Sequence, residues 1–411
     1  MTKLEQLLND LCPDGVEYKK LGEVAPVLRG VRVVREQLTS EGKIPVYQNS
    51  IKPLGYHDKS NVKAYSAFVI GAGAAGEIGF SNIDFWAADD CYYFDCPQNL
   101  NNRFLYYVLM KNQPLLLSRV RKASIPRLSR NFIENLVIPV PPLEVQAEIV
   151  RILDKFTELE SKLEAELEAR KKQYEYYRDK LLDYNDHSIE WRKLEDVITS
   201  LNTGLNPRQF FKLNTDDAEN YYITIREIKN GKIVPSEKTD RINDEALRLC
   251  NNRSNLEIGD VLFSGTGTIG ETAVITEEPT NWNIKEGIYT IKPIKSKISP
   301  FFLHYILQTE YIKSAYMKKV AGGTVKSIPM AELRKLNIPL PPLEVQERIV
   351  NVLDNFEAIC SDLQIGLPAE IEARKKQYEY YRDMLLSFDS SQFVNVERER
   401  EREREREMVK K

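Results

Sequence analysis

The sequence predicts an α+β protein made of two similar mixed α/β domains that are separated by two long helices. Three observations predict this fold. A stretch of twelve residues, EARKKQYEYYRD at 168–179, recurs letter for letter at 372–383. Each copy lies in a region whose apolar residues repeat at helical spacing, and each region follows a Pro-Pro motif. At 411 residues the chain can serve two or three hydrophobic cores, and the repeat favours two.

Residues 1–143 are predicted to form the first mixed domain. Short β-type runs, such as 67–70, alternate there with clusters of Gly, Asn, Asp and Pro, which is typical of an irregular α+β region. A helical run follows at 103–110. The sequence Ile-Pro-Val-Pro-Pro at 138–142 cannot continue as a helix, so it marks the end of the domain.

A long first helix is predicted within 144–184, because apolar residues keep helical spacing from residue 143 to residue 182. A helix of about 40 residues is roughly 60 Å long at a rise of 1.5 Å per residue. Two steps of four follow one another from Leu159 through Leu163 to Leu167, before the step of three to Arg170. Such a stutter locally unwinds a coiled coil.

The second half repeats this order, with residues 185–342 as a second mixed domain and 343–388 as a second helix. The glycine-rich sequence 265–270 corresponds to 71–76, and 338–342 corresponds to 138–142. The second helix is four residues longer, and Gly366 and Pro368 within the insertion are predicted to kink or interrupt it. The tail 389–411 alternates Glu and Arg and is predicted to be disordered.

The two helices are predicted to pack against each other, because a long apolar stripe needs a partner. The chain after the first helix resembles the N-terminus, which therefore takes the place of the continuation that the second helix lacks. This predicts antiparallel helices and a pseudo-twofold, pseudo-cyclic arrangement. The predicted helix–helix core residues are Ile149, Phe156, Leu163, Tyr174, Tyr177, Leu181, Ile349, Phe356, Leu363, Tyr378, Tyr381 and Leu385.

Composition is that of an ordinary soluble globular protein, with 42% apolar and 29% charged residues. The start is charged and no apolar run approaches the roughly 20 residues of a membrane helix, so we expect a cytoplasmic protein without a membrane segment. Five scattered cysteines and three histidines lack the spacing of a disulfide framework or a zinc site, and no metal is expected.

The net charge of −3 does not exclude nucleic acid, because the excess of acid lies on the helices. Residues 144–184 carry 11 acidic and 8 basic side chains, and 343–388 carry 9 and 5. The mixed domains have a slight excess of basic residues. The acidic excess therefore lies on the two helical regions, and the mixed domains are slightly basic.

Both glycine-rich sequences fit G-x-G-x-x-G, which would cradle a dinucleotide only where it follows a strand and opens a helix. The residues after Gly270 are β-type, so a tight turn within a sheet is favoured. Residues 263–267 also resemble the cofactor motif of adenine methyltransferases, but their Asn-Pro-Pro-Tyr type of catalytic motif is absent. No catalytic residue is predicted.

Two acid-free basic segments are the strongest functional signal. Residues 99–132 and 311–330 contain no Asp or Glu, and equivalent positive strips in two divergent domains suit contacts to phosphates. An ordinary solvated charged face is the alternative. The candidate contacts to the DNA backbone are Arg103, Lys111, Arg119, Arg121, Lys122, Arg127, Arg130, Lys313, Lys318, Lys319 and Lys326.

Base reading requires side chains that can form paired hydrogen bonds with base edges. The candidates are Tyr47, Gln48 and Asn49 in the first half and Arg226 at the comparable place in the second. They are equally well explained as polar residues at strand ends.

The repeated motifs Pro-Pro-Leu-Glu-x-Gln at 141–146 and 341–346, and the repeated twelve residues, resemble the specificity subunit of type I restriction–modification systems over about residues 4–388. This resemblance implies a non-catalytic subunit in which each domain recognises one part of a split, asymmetric sequence in double-stranded DNA. The helices would act as a spacer and a dock.

The same resemblance implies partners and cofactors. The partners would be modification subunits, two in number, and a restriction subunit. Cofactors would be bound by these partners and not by this chain: S-adenosylmethionine for methylation, ATP with Mg for translocation and cleavage. The alternatives are a fused adenine-N6 DNA methyltransferase, or a coiled-coil assembly scaffold without affinity for DNA.

Overall fold

The computed structural model describes residues 2–39, 42–184, 189–322, 325–361 and 366–388. The chain forms two compact units. The first takes in the chain up to Leu163 together with the stretch that begins at Ile371, and the second is Glu164–Glu370. The predicted boundaries at 143, 184 and 342 separate kinds of structure and do not coincide with these compact units, because each long helix contributes to both of them.

The secondary structure alternates short strands with helices in both halves. The strands are β1 (Tyr18–Lys20), β2 (Val27–Arg29), β3 (Ile44–Tyr47), β4 (Gly55–His57), β5 (Ser66–Ile70), β6 (Ile78–Ser81), β7 (Trp86–Ala87), β8 (Cys91–Phe94), β9 (Val137–Pro139), β10 (Trp191–Lys193), β11 (Ile198–Thr203), β12 (Asn220–Ile223), β13 (Ile228–Lys229), β14 (Lys232–Ile233), β15 (Arg241–Ile242), β16 (Val261–Ser264), β17 (Thr272–Val274), β18 (Trp282–Ile284), β19 (Ile288–Pro293) and β20 (Asn337–Pro339).

The helices of the described residues include several short ones and the long helices that the sequence predicts. They are α1 (Lys3–Leu11), α2 (Leu21–Val24), α3 (Asn102–Lys111), α4 (Gln113–Ser118), α5 (Arg130–Glu134), α6 (Leu143–Leu181), α7 (Pro207–Phe210), α8 (Asp244–Ser254), α9 (Pro300–Gln308), α10 (Glu310–Met317), α11 (Met330–Arg334), α12 (Leu343–Ser361) and α13 (Leu367–Leu385), with 3-10 turns at Arg35–Gln37, Leu194–Asp196 and Ile225–Glu227.

The first unit contains three small sheets. A four-stranded antiparallel sheet has the order β2-β8-β5-β6, and its buried strand β5 packs against helix α3. A three-stranded sheet has the order β4-β3-β7, in which β3 and β7 are parallel. Strands β1 and β9 pair where the chain enters helix α6. These elements position the glycine-rich turn between β5 and β6.

The second unit repeats this topology strand for strand. Its four-stranded sheet has the order β11-β19-β16-β17, its three-stranded sheet the order β15-β12-β18 with β12 and β18 parallel, and β10 pairs with β20. Hairpin β13–β14 and helix α8 are additions. The predicted fold class is confirmed: two similar mixed α/β regions combined with long helices.

Helix α6 runs without interruption over 39 residues, as the apolar spacing predicts. The second helical region is divided, since α12 ends at Ser361 and α13 begins at Leu367. Gly366 and Pro368 lie at this junction, which agrees with the predicted interruption because proline is tolerated in the first turn of a helix but not in its interior. The predicted core residue Leu363 and the predicted disordered tail, 389–411, lie outside the described residues.

Within each unit the long helices pack in opposite directions. In the first unit Phe156 stacks on Tyr381 with ring centroids 5.2 Å apart, and Glu160 forms an ion pair with Lys375 at 3.4 Å. Rising numbers on α6 therefore meet falling numbers on α13. In the second unit Tyr177 lies 5.9 Å from Phe356 between ring centroids, and earlier on α6 the charge of Lys171 acts on Cys360, further along α12. The predicted antiparallel pairing is confirmed within both units.

The N-terminus packs beside the end of the second helical region. Leu4 belongs to the same buried cluster as Leu385 and Leu386, and the Tyr18 hydroxyl donates to the Ser387 carbonyl at 2.9 Å. In the second unit the chain that follows α6 places Leu182 in the core. The N-terminus thus occupies, in the first unit, the place that the chain after α6 occupies in the second.

The predicted core stripe needs one correction at its end. Leu181 is 38% exposed, and the buried residue is its neighbour Leu182, because the helix ends at Leu181 and the chain turns inward there. Elsewhere the predicted residues are buried or half-buried, apart from Tyr177, which touches Phe356 from an exposed position. These buried or half-buried residues are Ile149, Phe156, Leu163, Tyr174, Ile349, Phe356, Tyr378, Tyr381 and Leu385.

The helix starts are held to the mixed domains by a buried glutamine that sequence reasoning missed. Gln146 is fully buried, accepts from the Asn101 amide at 2.8 Å and donates to the carbonyls of Pro141 and Asn99 at 2.7 and 2.9 Å. Gln346 makes the same three bonds in the second unit. The recurrence of Gln in the Pro-Pro-Leu-Glu-x-Gln motif was the signal that could have identified it.

Candidate nucleic-acid interface

The glycine turn (residues 71–76) and a loop from the acid-free basic segment form one structure in the first unit. The loop is closed by Arg121 and Arg127, whose backbones exchange hydrogen bonds of 2.8 and 3.2 Å. The residues on either side of Arg127 bind the turn, since the Leu128 amide donates to the Gly71 carbonyl at 2.8 Å and the Gly73 amide donates to the Pro126 carbonyl at 3.1 Å. We call residues 121–127 the first hairpin loop.

The second unit builds the same structure from different residues. The backbones of Ala321 and Ser327 exchange two hydrogen bonds of 2.8 Å. The Ile328 amide donates to the Gly265 carbonyl and the Gly267 amide to the Lys326 carbonyl, both at 2.9 Å. We call residues 321–327 the second hairpin loop, of which the structure describes 321, 322 and 325–327. Equivalent bonds with different side chains indicate one scaffold carrying two surfaces.

Neither glycine turn has the geometry of a dinucleotide site. Each joins two antiparallel strands, β5 to β6 and β16 to β17, and no helix begins after it. The Gly76 and Gly270 backbones have positive φ values of 90° and 99°, which other residues adopt only with strain. The amides of Gly71 and Gly73 donate to carbonyls of the protein itself. These amides are therefore not available to bind phosphate, and the predicted tight turn within a sheet is confirmed.

Most of the predicted phosphate-binding side chains are exposed on or beside the hairpin loops. In the first unit these are Arg119, Arg121, Lys122, Arg127 and Arg130, and in the second they are Lys318, Lys319 and Lys326. Arg119 lies over the ring of Phe132, and Arg130 pairs with Glu134 at 2.8 Å. Surface ion pairs of this kind are weak and exchange easily with other anions. Contact of these residues with DNA stays a prediction.

Arg103 requires a correction. Its guanidinium binds Asp154 at 2.8 Å and lies over the rings of Phe80, Tyr106 and Tyr107, within 4.5 to 5.1 Å of their centroids. Asp154 is 51 residues away in the sequence, so local pattern could not show this partner. Arg103 therefore joins α3 to α6 inside the first unit, and we remove it from the residues proposed to contact phosphate.

Lys111 and Lys313 also face the helices rather than the loops. Lys111 is half-buried at the end of α3, and burial lowers its pKa while the nearby Asp383 opposes that shift. Lys313, on α10, is exposed and lines a cleft together with Lys171 and Asp179. Because charged residues of the long helices lie beside both lysines, both are weaker candidates for contact with DNA.

The base-reading candidates of the first unit divide into one packed side chain and two accessible ones. Tyr47 stacks on Phe68, with ring centroids 4.5 Å apart, and meets Phe85 edge to face. Burial accordingly raises the pKa of Tyr47, and we reassign this side chain to the apolar core. Gln48 is half-buried and Asn49 is exposed. The Asn49 carbonyl accepts from Ala74 at 2.9 Å, so this residue lies beside the glycine turn.

Arg226 occupies the corresponding place in the second unit, in the 3-10 turn that follows β12. Its guanidinium pairs with Asp240 at 2.9 Å, and its Nε donates to the Thr224 hydroxyl at 3.2 Å. The side chain remains exposed. These bonds orient the arginine without burying it, which is compatible with reading a base but does not test it.

A tyrosine–aspartate pair recurs beneath the two domains. Tyr107 donates to Asp154 and Tyr305 donates to Asp354. Arg103 and Thr157 lie beside the first pair, whereas Glu357 lies beside the second, with a carboxyl oxygen 2.8 Å from the Tyr305 hydroxyl. Burial raises the pKa of Glu357, and the nearby Asp354 carboxylate raises it as well, because two neighbouring carboxylates are costly to ionise together. Sequence reasoning missed this pair, although the Asp recurs in the repeated Leu-Asp-x-Phe at 153–156 and 353–356.

The repeated twelve residues present the same surface in each unit. Tyr176 and Tyr177 pack edge to face at 5.3 Å between ring centroids, and Tyr380 and Tyr381 do so at 5.5 Å. Tyr176 is 61% exposed and Tyr380 50% exposed. Identical exposed residues are not required by packing, so this surface is a candidate for binding a partner.

Two kinds of feature are absent from the described residues. No group of three His, Cys, Asp or Glu side chains in that part of the chain is arranged to hold a metal ion. No helix within it combines the length and the apolar character needed to cross a membrane.

Comparison with known sequences connects this geometry to one family. The sequence profile described as Type I restriction modification DNA specificity domain matches residues 13–169 and 188–373. A putative type I restriction enzyme specificity subunit of Haemophilus influenzae is 31% identical, over 94% of this chain and 98% of its own length. The EcoR124I/EcoR124II specificity subunit of Escherichia coli is 32% identical over 62% of this chain and 63% of its own.

Solved structures agree on the fold. The specificity subunit of M. genitalium superposes with a TM-score of 0.53 at 17% identity, covering 94% of this chain and 99% of its own. A chain from a structural study of complex assembly and conformational transition of the type I R-M system gives 0.60 at 17% identity, covering 92% and 98%. Together with the two sequence matches that span most of the chain, these findings show that the protein belongs to the type I restriction–modification DNA specificity family.

Proposed function

We propose that each unit reads one half of a split, asymmetric DNA sequence through its glycine turn, its hairpin loop and the strand end beside them. The observation that carries this proposal is the same backbone structure built twice with different exposed side chains. Phosphate contacts position a protein on DNA, whereas contacts with base edges specify the sequence. The phosphate contacts would come from Arg121, Lys122 and Arg127 in the first unit and from Lys326 in the second. The contacts with base edges would come from Asn49 and Arg226.

Domain exchange tests modular reading. Residues 185–342 are replaced by the corresponding domain of a relative with a different target, and methylated adenines are mapped in cells that carry the chain with its modification subunits. We expect one half of the methylated sequence to change and the other half to stay. Exchange of 1–143 is the matched control and should change the opposite half. A change of both halves in either exchange contradicts modular reading.

The long helices are proposed to set the gap between the two halves of the target. Helix α6 is continuous over 39 residues, and a helix rises about 1.5 Å per residue. Deleting four residues of α13 next to Gly366 would shorten that helix by roughly 6 Å. We expect the gap in the methylated sequence to change or methylation to stop. An unchanged gap with normal methylation contradicts the spacer role.

The repeated surface is proposed to dock two copies of a modification subunit, with a restriction subunit joining the assembly. S-adenosylmethionine, ATP and Mg would be held by those partners. Arg178 pairs with Asp179 at 2.8 Å and Arg382 pairs with Asp383 at 2.8 Å, so the surface repeats in its charges as well as in its tyrosines. One surface presented twice fits two copies of one partner.

Tyr176 and Tyr380 provide the test of docking. We expect Tyr176→Ala to remove one modification subunit from the assembly and Tyr176→Ala with Tyr380→Ala to remove both, as measured by native mass spectrometry. Glu164→Ala, also on α6 but outside the repeated stretch, is the control and should leave the assembly intact. Two modification subunits still bound to the double variant would exclude these tyrosines as the dock.

The fused-methyltransferase alternative finds no support in the site. The turn at 265–270 joins two strands, and the Gly265 amide donates to the Gly287 carbonyl at 2.7 Å and the Gly267 amide to Lys326. Calorimetric titration of the purified chain with S-adenosylmethionine tests the alternative directly, and we expect no binding without the modification subunits.

A further inference from the structure

The apex of each hairpin loop carries one exposed β-branched apolar side chain. Ile125 is 54% exposed and Val325 is 62% exposed, and each directly precedes the residue whose carbonyl is bound by the glycine turn. The loops otherwise differ, reading Lys-Ala-Ser-Ile-Pro at 122–126 and Gly-Gly-Thr-Val-Lys at 322–326. An apolar residue has therefore been kept at one exposed position of two divergent loops.

The backbone at these positions is held firmly. Pro126 and Lys326 accept hydrogen bonds from Gly73 and Gly267, and both loops are closed by a pair of reciprocal backbone bonds. In the second loop a Cβ on Gly322 would lie 2.4 Å from the Val325 carbonyl, so the chain passes close to itself there. A side chain presented on such a base loses little conformational entropy when it meets a partner.

The surroundings identify the partner as DNA. Ile125 lies between Arg121, Lys122 and Arg127, within a segment from Asn99 to Phe132 that has no acidic residue. Val325 is followed by Lys326 and lies within a second acid-free segment, 311–330. Cations that contact phosphates on both sides of a groove would bring the apex toward the bases. The bases offer apolar partners there, such as the thymine methyl group in the major groove.

We propose that Ile125 and Val325 enter a groove of the target and make apolar contact with bases, each in the half-site read by its own unit. This rests on the proposed function, and it adds a specificity-determining residue in each unit that is neither charged nor capable of hydrogen bonding. The two residues act independently, because each belongs to a different loop and a different half-site.

The test uses the chain assembled with its modification subunits, and the target is first identified by mapping methylated adenines. Binding is titrated at fixed salt to a cognate duplex and to an unrelated duplex. We expect Ile125→Thr to weaken cognate binding by about tenfold, the scale of one lost base contact. Binding to the unrelated duplex should stay within about twofold, since that binding depends mainly on phosphate contacts.

Matched variants separate the apolar contact from changes in folding. Ile125→Val keeps a β-branched apolar side chain and should retain cognate affinity. Val137→Thr makes the same kind of change at an exposed valine of strand β9 and should have no effect. Binding is also measured on duplexes altered in one half-site at a time. These duplexes should assign the loss of affinity caused by Ile125→Thr to one half-site and the loss caused by Val325→Thr to the other.

The outcomes distinguish this inference from the proposed function. If the wild-type assembly prefers the cognate duplex and Ile125→Thr binds it equally well, only the inference is overturned. An equal loss on cognate and unrelated duplexes also overturns it, because that result indicates a general effect on phosphate binding. A wild-type assembly that does not distinguish the two duplexes contradicts the proposed function and this inference together.

Discussion

The two units share a backbone and differ in the polar cluster where the mixed domain meets the long helix. In the first unit Arg103 neutralises Asp154 and covers three aromatic rings. The second unit has Phe301 at the corresponding position and adds Glu357 as a second carboxylate near the tyrosine hydroxyl. The tyrosine–aspartate bond is therefore the constant part, and the residues around it differ between the two units. The same division holds at the surface, where backbone bonds repeat and side chains do not.

The largest expected effect tests whether the buried glutamine at the start of each long helical region has the same role in both units. Gln146→Leu and Gln346→Leu should each cost about 4 kcal/mol, because each leaves three buried backbone groups without a hydrogen-bond partner. Equilibrium unfolding in urea measures the loss, and hydrogen exchange at Asn101 and Ser299 locates it. Glu144→Gln, at an exposed position of α6, is the control. A large loss in one unit and none in the other would show that the helix starts are not equivalent.

The next prediction concerns His304, which stands where the first unit has Tyr106. Burial and, as the smaller cause, the charge of Arg178 together lower the pKa of His304 to about 4. Between that value and the ordinary pKa near 6.5 the unfolded chain binds a proton that the folded chain does not. Stability is therefore full above about pH 6.5 and falls as the pH drops toward 4, by up to about 3 kcal/mol.

His304→Gln isolates this contribution. Glu357 has a raised pKa and contributes in the opposite direction over part of the same range, so the informative quantity is the difference between wild type and variant. The variant should lose the histidine part of the pH dependence, as measured by thermal unfolding from pH 4 to pH 7.5. Parallel curves for wild type and variant would show that His304 is not buried in its neutral form.

A smaller effect is expected for Arg103→Met, about 1.5 kcal/mol, because the variant loses one ion pair and the contacts of the guanidinium with the rings. Phe301→Met at the corresponding place should cost less than about 0.5 kcal/mol, since no charge depends on it. Arg103→Met should leave the salt dependence of DNA binding unchanged. A lower salt slope would restore Arg103 to the residues that contact phosphate.

The smallest effect is expected at single loop cations. Arg127→Ala and Lys326→Ala should each weaken DNA binding a few-fold on every sequence and lower the slope of log affinity against log salt by about 1. Lys63→Ala, at a highly exposed lysine before strand β5, is the control and should change neither quantity. A loss confined to cognate DNA would instead make the loop cation a base contact.

Much of the fold could be predicted because its signals are local. Apolar spacing from 143 to 182 predicted a helix that the structure has at Leu143–Leu181, and Pro368 beside Gly366 predicted an interruption. The β-type residues after Gly270 predicted a turn between strands. The packing of the N-terminus beside the end of the second helical region followed from comparing one part of the chain with another.

The candidate site could be predicted only in outline. An absence of acidic residues identified the basic segments, but it could not separate Arg121, which is exposed on the loop, from Arg103, which binds Asp154. The sequence offers Tyr47 as a base-reading candidate, whereas its ring packs between Phe68 and Phe85. The sequence did not indicate the role of Gln146, because its hydrogen-bond partners are backbone groups, such as the Asn101 amide, that lie far away in the sequence.

The sequence by itself determined the order and type of the elements, because apolar periodicity and proline act within a few residues. It also determined the duplication and the family, because repeated motifs can be compared directly along the chain. Only the tertiary structure decided which cations face outward, which aromatic rings are core and which apolar residues remain exposed at the loops. Those properties depend on partners tens of residues away, and burial and pairing are set by the folded surroundings of a side chain.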